Sequence, residues 1–564
     1  MKTRSVLVYL PGYLSDLQAL TPQRHLAQAA GALLDSGHET WIMDLGTTDS
    51  LDRVVSEKLA AYARRVAQGL FDHASPSTLE TLHLLWQVRL ADNEYRKRLQ
   101  ALALDTAKHV ASFRGLHFIA FFIKSPEDVR PCAIMSGMLR QLRPKLRIAA
   151  FGPFADRHGS SLLPLIPDVD CICRGDLEVA LPEWAERIDP EEQWSLADNL
   201  LSRHDVPAYR KVPAHMGSFA SGSAPVYDCS VYPALTAPGQ KLKLFELEDA
   251  RSGPSMGFAC EDSAAPLRIK PATVVCTEIW RLGALYGAGA FHFSSPQTPS
   301  FHVNGLAYEF LRRNLSIAYS RRLCVSNGAA TAFPVLRASG CDSVAFDVAT
   351  GSQRLLDRHY GTRATVTGIE HTLRSAKEAD LLSIARFIYP CPEDDYHTSA
   401  ETIRLIERTK PDLVTLAYPI LAPDCEWFRR PASFGYHVDK LGFTKAIVSY
   451  RKQFPLPDMR WRNLPYRIGD MSTAEVISVQ ETLGVELASR GHRVCGSDFL
   501  LRAVRLAGYT DRDTELVPRT QRALVEGDVS MIGGFMDQFN EAVCASAKRI
   551  ALQPQDGLRP AVGN

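Results

Sequence analysis

The sequence predicts an α/β protein: an N-terminal doubly wound, Rossmann-like domain, then a complete or partial barrel of strand–helix units, then a mostly helical C-terminal region. Three observations predict this class. Short apolar runs alternate with amphipathic helical patterns in the first third of the chain, and the same alternation resumes after a segment rich in Pro, Ser, Ala and Gly. A chain of 564 residues also exceeds what one hydrophobic core organises.

Five apolar runs in residues 1–190 predict the strands of a parallel sheet. They lie at 5–10, 40–45, 116–123, 147–152 and 170–175. Each leads into a helical pattern, and continuous apolar strands between helices are typical of a parallel sheet covered on both faces. Residues 50–112 interrupt this alternation and predict a long, charged helical insertion.

Flexible and polar residues follow the predicted strands, where an open α/β sheet binds its ligands. The candidate ligand-binding residues are Pro11, Gly12, Tyr13, Lys124, Ser125, Pro126, Gly152, Pro153, Arg174, Gly175 and Glu178. Glycine permits close backbone approach, and helix starts present free N–H groups. From the residues alone, a bound cofactor and the ordinary turns of a doubly wound sheet are equally good explanations.

The rest of the chain predicts three further regions. Residues 191–245 are predicted to be a linker, and residues 246–425 a barrel with strands at 290–295, 315–320, 342–351, 381–390 and 412–421. Residues 426–564 are predicted to be mostly helical and to shape a substrate site. Tyr436 and His437 in that region are candidate catalytic residues.

Composition and charge narrow the class of protein. A formal net charge of +1 gives no electrostatic reason to expect nucleic acid or an anionic membrane as partner. No segment approaches 18 consecutive apolar residues, and the N-terminal strand pattern lacks the features of a signal peptide. The twelve cysteines are scattered without a paired framework, so we expect reduced thiols and a cytoplasmic location.

The order of turns resembles the cobalamin-binding domain that precedes the barrel of cobalamin-dependent radical SAM enzymes (SAM, S-adenosylmethionine). Phe151-Gly152-Pro153 is similar to the GGP-type turn of that family, and the segment from Arg174 to Glu178 is similar to its RGEGE-type turn. The resemblance implies cobalamin bound without a histidine ligand on the lower face of cobalt. The segment 156–161 imitates a DxHxxG motif but follows the wrong strand, so we expect His158 to be a helix-start residue.

A second stretch, 240–425, resembles the radical SAM barrel, but its cluster loop departs from the family. Three thiolates spaced CxxxCxxC hold the family's iron–sulfur cluster. Here Gly253, Gly257 and Cys260 occupy those positions, and a register shifted by three residues also leaves one cysteine. We therefore expect no iron–sulfur cluster. Ala349 stands where the family often has a SAM-binding glutamate, with Asp347 two residues away, so SAM binding is doubtful.

These observations lead to two functional hypotheses. The first is a cobalamin-dependent enzyme of secondary metabolism, such as antibiotic biosynthesis, that acts on a small molecule; methyl transfer is favoured and ring rearrangement or cyclisation comes next. Lys124, Tyr13, Tyr436 and His437 are its candidate catalytic residues. The alternative is a non-catalytic cobalamin-binding carrier, sensor or partner. An enzyme should retain convergent polar groups in the cavity opposite cobalt, whereas a carrier can fill that space with apolar side chains. A dinucleotide cofactor is less favoured, because no GxGxxG follows the first strand.

Overall fold

The computed structural model describes residues 2–12, 16–71, 78–188, 199–202, 224–236, 239–251, 267–295, 298–325, 331–360, 364–423, 425–450, 463–495, 497–509 and 513–551. The strands, in chain order, are β1 (Arg4–Tyr9), β2 (Glu39–Asp44), β3 (Phe118–Phe122), β4 (Arg147–Phe151), β5 (Cys171–Cys173), β6 (Leu200–Ser202), β7 (Leu244–Leu247), β8 (Ala250–Arg251), β9 (Arg268–Ile269), β10 (Ala290–Phe293), β11 (Ala318–Cys324), β12 (Cys341–Ala349), β13 (Leu382–Ile388), β14 (Leu413–Ala417), β15 (Tyr436–Val438), β16 (Tyr466–Ile468) and β17 (Val494–Cys495).

The helices, in the same order, are α1 (Arg24–Asp35), α2 (Thr48–Val54), α3 (Glu57–Phe71), α4 (Thr78–Ala111), α5 (Val129–Leu142), α6 (Pro153–His158), α7 (Leu177–Glu186), α8 (Ala272–Tyr286), α9 (Ser300–Arg312), α10 (Phe333–Ala338), α11 (Gln353–Leu355), α12 (Val366–Glu378), α13 (Tyr396–Thr409), α14 (Glu426–Arg429), α15 (Phe443–Tyr450), α16 (Thr473–Ser489), α17 (Phe499–Leu506), α18 (Asp513–Glu526) and α19 (Val529–Ala551). No helix within the described ranges is both long and apolar enough to cross a membrane.

The chain divides into two compact units. Unit 1 takes its residues from 1–242, 421–476 and 514–537, and unit 2 takes its residues from 243–420, 477–513 and 538–564. Each unit contains one large sheet, as the α/β class predicts.

The sheet of unit 1 has the strand order β2-β1-β3-β4-β5-β6. Its first five strands are parallel, and β6 pairs antiparallel with β5. Helices α1 and α7 pack together, and apolar residues of α4 and α5 form one core with those of β1, β3 and β4. Strands buried on both faces explain why the sequence shows continuous apolar runs, and the predicted doubly wound sheet is confirmed.

Two parts of unit 1 differ in detail from the expectation. Helices α2, α3 and α4 lie where a helical insertion is predicted. The predicted linker is not a free connection in its described parts, because residues 200–202 form β6 and Tyr227 and Tyr232 are buried. Tyr232 accepts a hydrogen bond from the Gln23 backbone N–H at 2.9 Å, so the segment packs beside α1.

The sheet of unit 2 has seven parallel strands in the order β17-β14-β13-β12-β11-β10-β7. Apart from the small β8–β9 and β15–β16 pairs, the strands follow one another in chain order, which is the pattern of a partial barrel. Phe333 of α10 packs on Phe346, and Phe310 of α9 packs on Tyr319, so these helices cover the outer face. Helix α17 packs against β11 and β12.

The C-terminal region contributes to both units. Residues 421–476 and 514–537 belong to unit 1, whereas α17 and β17 belong to unit 2. The predicted barrel range of 246–425 therefore omits β17 from the sheet, and it also omits the first two residues of β7. Both strands are short, which explains why the periodicity of the sequence does not reveal them.

Candidate functional site

The carboxyl ends of β1 and β3 lie side by side in unit 1 and form its topological switch point. Strand β1 pairs with β2 on one side and with β3 on the other, and the chain leaves these strands in opposite directions. An open α/β sheet binds its ligand at this point, because diverging connections leave a crevice there. The structure thus brings the predicted residues Pro11 and Gly12 close to Lys124, Ser125 and Pro126.

Asp128 connects these two loops. Its carboxylate accepts backbone N–H groups from Gly12 at 3.1 Å, Lys124 at 3.0 Å and Ser125 at 2.9 Å. The Ser125 hydroxyl donates to it as well, at 3.2 Å. Burial raises the pKa of Asp128 to about 6, against the effect of these hydrogen bonds. Asp128 was not among the predicted site residues, although the Ser-x-x-Asp spacing of a capping box from Ser125 is a signal for it.

The glycines at this edge serve packing within the protein. A Cβ on Gly12 would stand 2.5 Å from Cβ of Glu127, and a Cβ on Gly152 would stand 2.7 Å from the Ile123 carbonyl oxygen. Gly152 also has φ of +113°, and Pro153 after it begins α6. Close internal packing therefore requires a glycine at both positions, and close approach of their backbone to a ligand stays a prediction.

Lys124 is half-buried at the end of β3. None of the described residues forms a hydrogen bond or an ion pair with its ammonium group, and its charge acts on the buried Lys241. Lys241 is matched by Asp44 at 2.6 Å and also donates to the Gly46 carbonyl oxygen at 2.6 Å. Burial lowers the pKa of Lys241, Asp44 opposes this, and Lys124 lowers it further. Lys124 is therefore the ammonium group at this edge that is available to a ligand.

The ends of β4 and β5 form a second group. The Arg174 guanidinium donates to the Asp156 carboxylate at 3.2 Å, and the Gly175 N–H donates to the same oxygen at 3.1 Å. The side chain of Asp156 is 44% exposed. Glu178 lies in the first turn of α7. Asp156 thus binds both Arg174 and Gly175. It belongs to the segment 156–161, which was described above only for its similarity to a DxHxxG motif.

His158 is the last residue of α6 and also the N-cap of the 3-10 helix Gly159–Leu165, so it lies at a helix start as expected. Its ring stacks on Phe154 with centroids 4.1 Å apart, and its Nδ1 lies 2.9 Å from the Thr444 hydroxyl. Burial, helped by the charge of Arg157, lowers its pKa to about 3. This packing agrees with the rejection of His158 as a cobalt ligand.

The catalytic candidates Tyr436 and His437 point to opposite faces of the antiparallel β15–β16 pair. Tyr436 is buried against Trp427 at a centroid distance of 5.2 Å, whereas His437 is exposed. Arg429 and Arg430 pair with Glu426. Tyr436 and His437 are therefore not adjacent on one surface, and their catalytic role stays a prediction. Tyr13, Gly253, Gly257 and Cys260 lie outside the described residues.

A polar cluster lies on the inner face of the unit 2 sheet. Asp347 on β12 is fully buried; its carboxylate binds the Arg322 guanidinium of β11 at 2.6 Å and the Arg386 guanidinium of β13 at 3.1 Å. The side chains of the two arginines are 28% and 25% exposed. Asp347 is thus already bound by two cations, so it is poorly placed to replace the SAM-binding glutamate.

Helix α17 completes the cluster from the inner side. Arg502 pairs with Asp498 at 2.9 Å, and it donates to His292 Nδ1 at 2.8 Å and to the Ser320 hydroxyl at 3.2 Å. Burial, together with the charge of Arg502, keeps the pKa of His292 well below its usual value. Burial opposes the ionisation of Asp498, but Arg502 and Arg386 outweigh it and lower its pKa to about 2. At neutral pH the carboxylate is ionised and the imidazole is neutral.

Within the part of the chain that the structure describes, no group of three or more His, Cys, Asp or Glu side chains is arranged to hold a metal ion. None of the described cysteines forms a disulfide, and burial raises the pKa of Cys276 to about 12. Thiols of this kind are poor metal ligands, because the thiolate is the binding form.

The two sheets define a class of fold: a doubly wound, Rossmann-like domain together with a partial barrel of parallel strands. No protein-family model and no curated protein matches the chain by sequence. Solved structures do match. The fold is similar to that of the radical SAM methyltransferase TsrM from Kitasatospora setae with cobalamin and a 4Fe–4S cluster bound, with a TM-score of 0.60, 13% identity, and coverage of 93% of this chain and 99% of that one.

Two further structures share the fold. TsrM with tryptophan and a SAM analogue bound gives a TM-score of 0.57 at 13% identity, and covers 90% of this chain and 99% of that chain. The cobalamin-dependent SAM radical enzyme OxsB with aqua-cobalamin and SAM bound gives 0.51 at 13% identity, with 87% of this chain and 61% of that chain covered. At this identity the likeness establishes a shared fold, and the predicted fold resemblance is confirmed.

Proposed function

We propose that the protein is a cobalamin-dependent enzyme acting on a small molecule, with methyl transfer as the favoured reaction and ring rearrangement or cyclisation next. The observation that carries the proposal is the fold. It follows TsrM over nearly the whole of both chains, and the TsrM structure contains cobalamin. A shared fold alone does not determine function, so the proposal also depends on the residues at the sheet edge.

The side chains at the carboxyl edge of the unit 1 sheet suit the hydrogen-bonding groups of cobalamin. Cobalamin is surrounded by amide groups, which both donate and accept hydrogen bonds. The partly buried Lys124 and Arg174 offer donors at this edge, and the exposed carboxylate of Asp156 offers acceptors. The cavity of 20 Å³ beside Pro11 and Gly12 holds no more than a water, so the cofactor would bind over the loop ends.

The polar inner face of unit 2 favours an enzyme over a carrier. A carrier has no need for buried charge in its barrel, since burying charge costs free energy unless it is paired. Here Asp347, two arginines and a neutral histidine lie on that face, and Asp498 and Arg502 of the α17 segment pack against them. Such groups can orient a substrate and hold protons at fixed atoms.

We propose further that the reaction runs without an iron–sulfur cluster. The support is the sequence: Gly253 and Gly257 have no side chain that could bind iron. When bound, cobalamin supplies methyl transfer or radical chemistry at its cobalt–carbon bond, and the protein supplies orientation and electrostatics. If SAM is a further cofactor, this proposal requires that it binds without that cluster.

The test is a titration of the purified protein with hydroxocobalamin, followed by gel filtration, an absorbance spectrum and metal analysis. We expect corrin bands and about one cobalt per chain, with no iron or sulfide after anaerobic reconstitution. Pro11→Trp at the carboxyl edge should reduce retention of the corrin, whereas Lys2→Trp, before the amino end of β1, should not. Absence of corrin would refute the cofactor, and stoichiometric iron and sulfide would refute the cluster-free reaction.

A further inference from the structure

The carboxylate of Asp128 lies between the two loops at the carboxyl edge of the unit 1 sheet. One of its oxygens accepts the backbone N–H of Gly12, in the loop after β1, at 3.1 Å. The other accepts the backbone N–H groups of Lys124 and Ser125, in the loop after β3, at 3.0 and 2.9 Å, and the Ser125 hydroxyl at 3.2 Å. The hydrogen bond from Gly12 therefore ties the first loop to the second.

All four of these donors require the ionised form of Asp128. A carboxylate only accepts hydrogen bonds, whereas a carboxylic acid carries one O–H group that donates. A proton on the first oxygen faces the Gly12 N–H, and a proton on the second faces the donors of the loop after β3. In either case a donor loses its acceptor, so protonation loosens the connection between the two loops.

The titration of Asp128 falls in an accessible range of pH. Burial raises its pKa to about 6, against the effect of the four hydrogen bonds. Burial also raises the pKa of Tyr9, at the end of β1, and of Cys132, on α5, and the charge of Asp128 adds to both effects. Tyr9 and Cys132 are therefore neutral between pH 5 and pH 7.5, and they do not compete with Asp128 for the proton.

The charged side chains on the surrounding elements lie outside this set of hydrogen bonds. Lys124 and Glu127 belong to the loop after β3 itself. On α5, Arg130 pairs with Asp92 of α4 at 2.9 Å. Helix α15 packs against the turn before α5, and its Lys445 is exposed. Burial and the four donors therefore dominate the ionisation of the carboxylate.

The loops that Asp128 joins are those over which the proposed cofactor binds. They leave the sheet in opposite directions at its switch point, so the chain itself does not fix one loop relative to the other. A corrin that covers both loop ends binds more tightly when their relative position is set beforehand, because less conformational entropy is lost on binding.

We infer that the carboxylate of Asp128 positions the corrin site: it holds the loops after β1 and β3 in the arrangement that binds cobalamin, and its protonation releases them. This deepens the proposed function, on which it rests, by making retention of the cofactor depend on pH. Asp128 is a positioning residue, since its side chain is buried beneath the loops that meet the corrin.

The experiment measures the affinity of the full chain for hydroxocobalamin at pH 5 and pH 7.5 by equilibrium dialysis. With a pKa of about 6, the ionised fraction of Asp128 falls about tenfold between pH 7.5 and pH 5, and the apparent affinity falls with it. Asp128→Asn places an NH₂ group where one oxygen stood, which resembles the protonated form. We expect it to bind about tenfold more weakly than the wild type at pH 7.5 and about equally at pH 5. The ratio of the two affinities at each pH cancels any ionisation of the corrin itself.

Ser125→Ala separates positioning from direct contact with the corrin. The Ser125 hydroxyl donates to the carboxylate and lowers its pKa, so its removal should move the midpoint of the binding profile to higher pH. A hydroxyl that only touches the corrin would weaken binding without moving the midpoint. The variant keeps the carboxylate and its backbone donors, so it also provides the test if Asp128→Asn does not fold, as circular dichroism checks.

Asp170→Asn is the matched control at the amino edge of the same sheet. The Asp170 carboxylate accepts the Ile148 backbone N–H at 2.8 Å and pairs with Arg140 at 2.8 Å, so it also joins neighbouring segments. Its replacement should leave both the affinity for hydroxocobalamin and the midpoint unchanged.

A general loss of stability would give the opposite trend with pH. Because burial raises the pKa of Asp128, the stability gap between the wild type and Asp128→Asn narrows as the pH rises, whereas the affinity gap should widen. An affinity ratio that stays constant or narrows toward pH 7.5 overturns the inference, and so does an unchanged midpoint in Ser125→Ala. Retention of hydroxocobalamin that is independent of Asp128 overturns the inference alone. No retention at any pH overturns the proposed function, and the inference with it.

Discussion

Asp347 shows how one buried side chain can hold two others in place. Asp347→Asn removes the counter-charge of Arg322 and Arg386 at once and leaves two cations facing each other. We expect a loss of about 3 kcal/mol in the free energy of unfolding, because removing one partner of a buried ion pair leaves charge uncompensated. Urea unfolding measures this. Asp380→Asn, at a carboxylate that is 88% exposed, is the control and should change stability little. Comparable losses in both variants would contradict the assigned role.

Asp128 gives a prediction about pH. Burial raises its pKa to about 6 in the folded protein from 3.8, so the folded state binds the proton more tightly than the unfolded chain does. Its contribution to stability is therefore full below pH 4 and is lost as the pH rises through 6. Asp128→Asn should be less stable than the wild type, but the gap should narrow by about 1 kcal/mol between pH 5 and pH 7. A gap that widens over this range would show that the carboxylate is stabilised in its charged form.

His158 changes the stability of the protein with pH in the opposite direction to Asp128. Its pKa falls to about 3 through burial, so the folded state keeps the ring neutral while the unfolded chain takes up a proton below pH 6.5. Stability is full above pH 6.5 and falls by about 2 kcal/mol between pH 7 and pH 5. His158→Phe keeps the stacking on Phe154 and should remove this loss, which unfolding curves at the two pH values measure. The same pH dependence in the variant would assign the proton uptake to another group.

At the scale of the elements, the sequence was most informative where strands are apolar on both faces. Residues 5–10 and 116–123 contain β1 and β3 nearly residue for residue, because nothing polar interrupts the apolar run. Short strands such as β6 and β17 were missed, since two or three residues show no periodicity. Residues 426–564 were predicted to be one mostly helical region, whereas its elements are divided between the two units, and α15 packs in unit 1 beside the segment 159–165. Packing between residues so far apart in the chain cannot be predicted from the local pattern of apolar and polar residues.

The sequence predicted where the candidate site lies, but it did not predict the role of each residue there. The loop ends at Gly12, Lys124 and Gly152 could be located, because the edge of a parallel sheet follows from the strand order. The roles could not, since they depend on contacts between residues far apart in the chain. Gly12 leaves the space that Glu127 occupies, and the carboxylate that connects the two loops belongs to Asp128.

At the scale of the whole molecule, two compact units predict two unfolding transitions. A ligand that binds one folded unit stabilises that unit by mass action, by about 2.7 kcal/mol at a hundredfold excess over its dissociation constant. Because the proposed cobalamin site lies on unit 1, hydroxocobalamin should raise one transition temperature by several degrees and leave the other nearly unchanged. Differential scanning calorimetry measures both. The stability variants assign the transitions: His158→Phe should perturb the one that responds to corrin, and Asp347→Asn the other. A single cooperative transition that shifts with corrin and with both variants would show that the units unfold as one body.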